Sequence, residues 1–194
     1  FEQVCTLLNM PFKNVLDWKI FNSSLVEKVY EVDEKIYDVV KLREKFKELI
    51  NNKNINIFLN TKIETLEKEY LKTFSNEIHK FDYVFNCTYS EIGQFKNITN
   101  NQLDLNYILS EIGIIEVPEI IKNIGLTIID GPFFSFLPID NKTHTLSHVV
   151  YTHLKTSDKN DLVERTNYLN QNSSFVNLKK MILDASSFVP SLEK

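Results

Sequence analysis

Asp130-Gly131-Pro132-Phe133-Phe134-Ser135-Phe136-Leu137-Pro138, followed by Thr143-His144-Thr145-Leu146-Ser147-His148-Val149-Val150-Tyr151-Thr152-His153, is the stretch that decides the fold. Gly131-Pro132 and Asp140-Asn141 carry turn chemistry, because glycine, asparagine and aspartate accept turn dihedrals and proline fixes its own. The segments between these turns are aromatic or β-branched, which suits a pleated, half-buried surface. Similar β-rich stretches run over 104–117 and 125–137, so the second half predicts a mostly antiparallel sheet. Two readings fit the phenylalanines of 130–138. They form the core of that sheet, or they line a ligand pocket, since pockets are mostly apolar with a few polar groups.

The first half reads differently. Phe1, Val4, Leu7 and Leu8 share a helical face and Pro11 lies just beyond it. Residues 25–38 predict a strand or two. Asp38 is placed to cap a helix whose apolar stripe is Val39, Leu42, Phe46, Leu49 and Ile50, ending at Asn51-Asn52. Its other face alternates Lys and Glu, with Glu44 and Glu48 near opposite charges. Segments 55–59, 63–70 and 83–87 read as strands. The first and last are apolar on both faces, as in a sheet covered on both sides. Residues 155–160 form a polar break. The tail predicts a helix with Phe175, Leu178 and Ile182 on one face, Ser173 or Ser174 as cap, and a stop before Pro190. The fold class that follows is α+β.

Composition narrows the function. The chain has 194 residues, a net charge of −4 and four glycines. Four is about 2%, against an average near 7%. Neither G-x-G-x-x-G nor G-x-x-x-x-G-K-[ST] occurs, so a standard dinucleotide fingerprint and a P-loop are excluded within these residues. A sequence pI near 5.6 argues against nucleic acid as the main partner. No apolar run approaches the roughly 18 residues of a membrane helix. Cys5 and Cys87 make no disulfide framework and suit a reducing, cytoplasmic setting. The N-x-[ST] triplets opened by Asn22, Asn86, Asn97, Asn141 and Asn172 follow from heavy asparagine usage. The start lacks both a signal-peptide pattern and an initiator Met, so the chain reads as a piece of a longer protein.

Several clusters invite catalytic readings. His144 and His148 share a strand face but lie about 13 Å apart at roughly 3.3 Å per residue, and His153 faces the other way. That spacing does not suit one metal ion, and no metal is expected. The bland alternative is single histidines on a sheet surface, with one histidine facing a ligand pocket as a middle option. Ser147 and His148 are strand neighbours and face opposite ways, which removes a serine-hydrolase dyad. Cys87 is expected to be a buried structural thiol, because Val84 and Phe85 flank it. Glu31, Asp33 and Glu34 read as a solvated acidic turn.

In the order of its landmarks the chain resembles FAD-dependent oxidoreductases of the D-amino-acid oxidase type. Segments 21–34 and 37–46 resemble the strand and helix that enter the flavin domain. Ile57-Phe58-Leu59-Asn60-Thr61-Lys62-Ile63 resembles the strand whose aliphatic residue meets the adenine. Asp82-Tyr83-Val84-Phe85-Asn86-Cys87-Thr88 resembles the strand ending near the diphosphate. Residues 124–153 resemble the substrate-domain sheet. The family's glycine-rich opening unit and its C-terminal flavin segment have no counterpart here, and Tyr89 stands where the family usually has glycine.

The resemblance implies an α/β flavin-domain portion joined to a mostly antiparallel substrate-domain sheet. Residues 1–37 would hold an entry helix and substrate-domain strands, 38–90 a partial FAD-binding domain, 91–155 the substrate-binding sheet and 156–194 a helical tail. It implies Ile63, Asn86, Cys87 and Thr88 near FAD, and Tyr89, Phe134, His148 and Tyr151 near a small-molecule substrate. FAD would belong to the full-length protein, and this chain alone is expected to bind none stably. Uncovered sheet edges make a homodimer plausible. Two alternatives stand beside this reading: a non-catalytic ligand-binding domain derived from the same fold, and a histidine-metal enzyme.

Overall fold

A computed structural model describes residues 1–15, 18–95, 105–131, 133–157, 167–168, 170 and 176–193. In chain order its elements are α1 (Glu2–Leu7), β1 (Phe12–Asn14), β2 (Tyr30–Val32), α2 (Val39–Asn51), β3 (Ile63–Leu66), β4 (Tyr70–Thr73) and β5 (Ile78–Lys80). There follow β6 (Tyr107–Ser110), β7 (Gly113–Glu116), β8 (Leu126–Ile128), β9 (Phe134–Pro138), β10 (Thr143–His148), β11 (His153–Ser157) and α3 (Val176–Phe188). Short 3-10 turns lie at Tyr89–Gln94, Glu119–Ile121 and Pro190–Glu193. The paired strands with recorded registers are antiparallel, and the class is α+β. Among the described residues no helix is long and apolar enough to cross a membrane.

The chain divides into two units. The first comprises Phe1–Leu49, Ser110–Leu154 and Asn172–Lys194. Its centre is a four-stranded sheet in the order β7-β10-β9-β8. The β9–β10 hairpin fixes the register. Asp140 Oδ1 accepts the backbone N–H groups of Lys142 at 2.7 Å and Thr143 at 2.8 Å, and Ile139 N–H reaches Thr143 O at 2.9 Å. Those amides hold the Asp140 carboxyl below its ordinary range. The turn pairs Leu146 with Phe136 and His148 with Phe134. Pro138 ends β9 beyond the reach of β8, whose pairing stops at Phe136, so its missing N–H costs no ladder bond.

Alternation along β9 and β10 then sends Phe134, Phe136, His144, Leu146 and His148 inward. Thr127, Ser135 and Thr145 face the other way, with a hydroxyl contact of 3.1 Å between Thr127 and Ser135. Helix α3 covers the inner face. Leu178, Met181, Ile182, Ala185 and Phe188 recur at helical spacing, and Met181 and Ala185 are fully buried. Ile20, Ile121 and Leu126 complete the core, with Trp18 and Phe21 packed against it. The helix comes close to β7: a Cβ on Gly113 would meet Leu178 Cδ1 at 2.4 Å. The aromatics of 130–138 therefore divide. Phe134 and Phe136 are core, whereas Phe133 is exposed.

In the same unit β1 and β2 form a two-stranded ribbon. Acidic residues Glu31, Asp33 and Glu34 are exposed as expected, but Glu31 lies in β2 opposite Lys13 rather than in a turn. Asp38 caps α2, accepting the N–H groups of Val40 at 3.1 Å and Lys41 at 2.9 Å. Glu44–Lys47 and Lys45–Glu48 pair along the polar face of α2 at 2.9 and 3.1 Å. Such exposed pairs contribute little. The apolar stripe exists, but Val39, Leu42, Phe46 and Leu49 lie exposed.

The second unit comprises Ile50–Leu109 and Lys155–Gln171. Its largest sheet is the meander β3-β4-β5, with a bulge between Ile63 and Thr65. The predicted strand 63–70 is two strands. Glu67 N–H bonds Tyr70 O at 2.8 Å and closes a turn between them.

Three expectations fail. Segments 55–59 and 83–87 join no ladder, and Tyr83 and Phe85 are 83% and 84% exposed. Cys87 is correspondingly exposed rather than buried. A run apolar on both faces records a capacity for burial between two layers, which only neighbouring strands can realise. Residues 155–157 of the expected polar break belong to β11, which pairs with β6, and 158–160 lie outside the described residues. The caps expected at Ser173 or Ser174, and Phe175, lie outside the described residues.

Candidate functional site

Two places gather the sequence-predicted site residues, one in each unit. In the first unit the site grows from the end of β10. His148 is the last inward residue of that strand and its side chain is fully buried. Phe134, its cross-strand partner, lies parallel to the imidazole, 9° off with centroids 6.4 Å apart. Tyr151 covers the ring from the following turn, with centroids 4.7 Å apart. Phe134 also meets Phe136 and Phe188 edge-on at 5.4 and 5.5 Å, which fixes it in the core.

Each imidazole nitrogen has a distinct surrounding. Nδ1 accepts the N–H of Val150 at 3.1 Å. The neutral ring therefore carries its proton on Nε2. Nε2 lies 3.4 Å from Asp184 Oδ2 on α3 and has no hydrogen-bond partner among the described residues. Burial pushes the imidazole below its ordinary value, and the Asp184 carboxylate opposes that shift. With its one basic nitrogen occupied by a backbone amide, His148 is built to hold the turn rather than to take a substrate proton.

The turn itself is densely tied. His148 N–H donates to Thr152 Oγ1 at 2.7 Å, and Thr152 N–H donates to His148 O at 3.0 Å. Asn177 Nδ2 donates to Tyr151 O at 3.2 Å. Glu111 Oε1 accepts the Leu178 N–H at 2.9 Å, placing a carboxylate at the start of α3 as the helix dipole favours. Lys180 Nζ stands over the Tyr151 ring at 5.6 Å. Tyr151 is half-buried, the most accessible member of the Phe134–His148–Tyr151 stack.

His144 sits four residues earlier on the same face, fully buried, with Nε2 3.3 Å from Ile124 O. Neither buried histidine is on the sheet surface, where the bland reading put them. Each ring has an apolar body and a backbone partner for one nitrogen, while His144 Nδ1 and His148 Nε2 have no hydrogen-bond partner among the described residues. His153 is exposed. Among the described residues no three His, Cys, Asp or Glu side chains converge as a metal group would require.

The second place is the turn 86–89. Asn86 Oδ1 accepts both Thr88 N–H at 3.2 Å and Thr88 Oγ1 at 2.6 Å, while its Nδ2 donates to Ile92 O at 3.2 Å. One side chain thus braces the turn from both sides. Cys87 and Thr88 are exposed, and Tyr89 is 92% exposed with a left-handed φ of 49°. Ile63 is half-buried on β3, opposite Thr73.

No protein-family model matches this chain, and no curated protein or solved structure matches it significantly.

The structure therefore brings Phe134, His148 and Tyr151 together, and separately brings Asn86, Cys87, Thr88 and Tyr89 into one turn. Asp184, Val150, Thr152, Asn177 and Glu111 are the residues that sequence reasoning missed. Their partners lie up to 67 positions away, and no local pattern marks such pairs. The His148–Thr152 spacing within one short turn was the available local signal.

Proposed function

We propose that this chain is a segment of an FAD-dependent oxidoreductase of the D-amino-acid oxidase type, acting on an amine, amino acid or amino-sugar-like substrate. The observation that carries the reading is the backbone at Tyr89. A φ of 49° is where glycine is at home and a tyrosine is strained. The left-handed region costs a non-glycine residue roughly 1–2 kcal/mol. Tyrosine therefore occupies a glycine conformation at the position where the resembled enzymes usually have glycine. The Asn86 bracket supplies the bonds that hold it there. The Asp38-capped helix α2 lies where the resemblance places the helix that enters the flavin domain, whereas the segments resembling the adenine and diphosphate strands, 57–63 and 82–88, join no ladder before Ile63.

The residues present are compatible with the group that the reading implies. Cys87, Thr88 and Tyr89 are exposed, so an anionic diphosphate would reach this turn from solvent, with the Thr88 N–H already engaged by Asn86 Oδ1. Asn86, Cys87 and Thr88 would hold that part of FAD, and Ile63 would meet the adenine. Bound FAD would supply the acceptor for a hydride from the substrate carbon. The chain's own contribution is to bind and orient. Tyr151 would offer a phenol to a carboxylate or sugar hydroxyl, with His148 and Phe134 fixing its ring from the core side.

The test is to express the complete reading frame that encodes these residues and record its visible spectrum. A strand–G-x-G-x-x-G–helix unit upstream and a flavin absorption band in the purified product are the expected results, while the 194-residue chain alone stays colourless. A complete product without that unit, colourless after incubation with FAD and dialysis, overturns the proposal. Binding of an acidic or sugar ligand by such a product would favour the non-catalytic domain.

A further inference from the structure

We propose that His148 is an acid-operated latch on the 149–152 turn, exchanging a bond to the Val150 amide for an ion pair with Asp184 when it takes up a proton. The geometry forces the exchange. In the neutral ring Nδ1 is an acceptor and holds the Val150 N–H at 3.1 Å. Protonation makes both ring nitrogens donors. Nδ1–H and the Val150 N–H would then point at each other, and that bond is lost. On the other side of the ring, Nε2 already lies 3.4 Å from Asp184 Oδ2 without forming a hydrogen bond. A positive ring strengthens this attraction and draws the two together. The fully buried side chain makes the response large, since a charge there depends on its protein partners rather than on water.

The groups around the ring set the direction. From α3, Asp184 favours the charged form, and Lys180 lies over the far ring of Tyr151. From the turn, Tyr151 stacks on the imidazole. From β9 the neighbour is the uncharged Phe134. Along β10, His144 is on the same face and engages Ile124 O. Before β7, Glu111 is already engaged by the Leu178 amide at the start of α3. Asp184 is thus the one anion facing Nε2 among these groups. Release of Val150 leaves the ends of the turn held by the His148–Thr152 pair, by Val149 N–H on Phe133 O and by Glu111 N–H on Thr152 O, with Asn177 on Tyr151 O between them. Tyr151, the most exposed member of the stack, is the side chain whose position the latch controls.

The experiment uses the full chain, labelled with nitrogen-15. Long-range imidazole spectra are expected to give the Nε2–H form of His148 at neutral pH. As His148 titrates, the Val150 amide should lose protection against exchange by about tenfold relative to its intrinsic rate, the worth of one neutral hydrogen bond. Asp184→Asn removes the counter-charge and should move that transition to lower pH, whereas His153→Gln should leave it in place. Protection of Val150 that stays constant while His148 titrates overturns the latch. So does a transition that Asp184→Asn fails to move, or a neutral ring carrying its proton on Nδ1.

Discussion

Leu146→Ala is the sharpest test of how the sheet is built. Leu146 is fully buried on the inner face of β10, between His144 and His148 and opposite Phe136. The substitution removes three carbon groups, at about 0.8 kcal/mol each, or roughly 2.4 kcal/mol of transfer free energy. Phe136, Gly113 and α3 are tied into the sheet and helix and cannot collapse fully into the space, so a cavity contribution brings the total to about 3–4 kcal/mol. Leu137 is its neighbour across the pleat, facing outward and 43% exposed. Leu137→Ala should cost less than about 1 kcal/mol. The sole tryptophan, Trp18, packs against the same core and reports its unfolding. In urea, with a slope of about 2 kcal/mol per molar, the Leu146→Ala midpoint should fall by roughly 1.5–2 M and the Leu137→Ala midpoint by less than about 0.5 M. Equal shifts for the two variants would refute the assignment of faces. Leu146→Val, which deletes a single carbon, should fall between them and keeps the comparison available if the alanine variant does not fold.

Two further outcomes follow from the electrostatics and the caps. His148 is held below its ordinary value of 6.5 by burial, so the unfolded chain takes up the proton first. Stability monitored by Trp18 should be full above that value and fall as pH drops through the folded one, and His148→Gln should flatten the dependence. A wild-type curve no steeper than the variant's would remove the linkage. Asp38→Ala should cost about 1 kcal/mol in α2 and speed amide exchange at Val40 and Lys41, while the β9 and β10 amides keep theirs.

Much of the local structure was legible because it depends on neighbours in sequence. The Asp38 cap, the Asp140 turn and the shared face of His144 and His148 all follow from spacing and side-chain chemistry, though which face is buried does not. The same reasoning read 55–59 and 83–87 as buried strands and Cys87 as a buried thiol. Those fail because apolar pattern measures what a segment can bury, whereas a ladder needs a second segment at hydrogen-bonding distance. The site was half legible. His148, Phe134 and Tyr151 stood out as unusual residues near one another in sequence, and so did Asn86, Cys87 and Thr88.

The sequence by itself determined the class of the fold, the turn at Asp140-Asn141 and that His144 and His148 share one face of their strand. These are matters of period and turn chemistry, settled within a few residues. Only the tertiary structure decided what His148 is. On β10 alone it is an imidazole whose burial and protonation state are open. Asp184 arrives from α3, 36 positions on, and Val150 folds back to cap Nδ1. The two nitrogens then have different partners, and the ring becomes a latch rather than a base. The protonation chemistry of a side chain is set by what lies within a few ångströms of it, and packing alone chooses those neighbours.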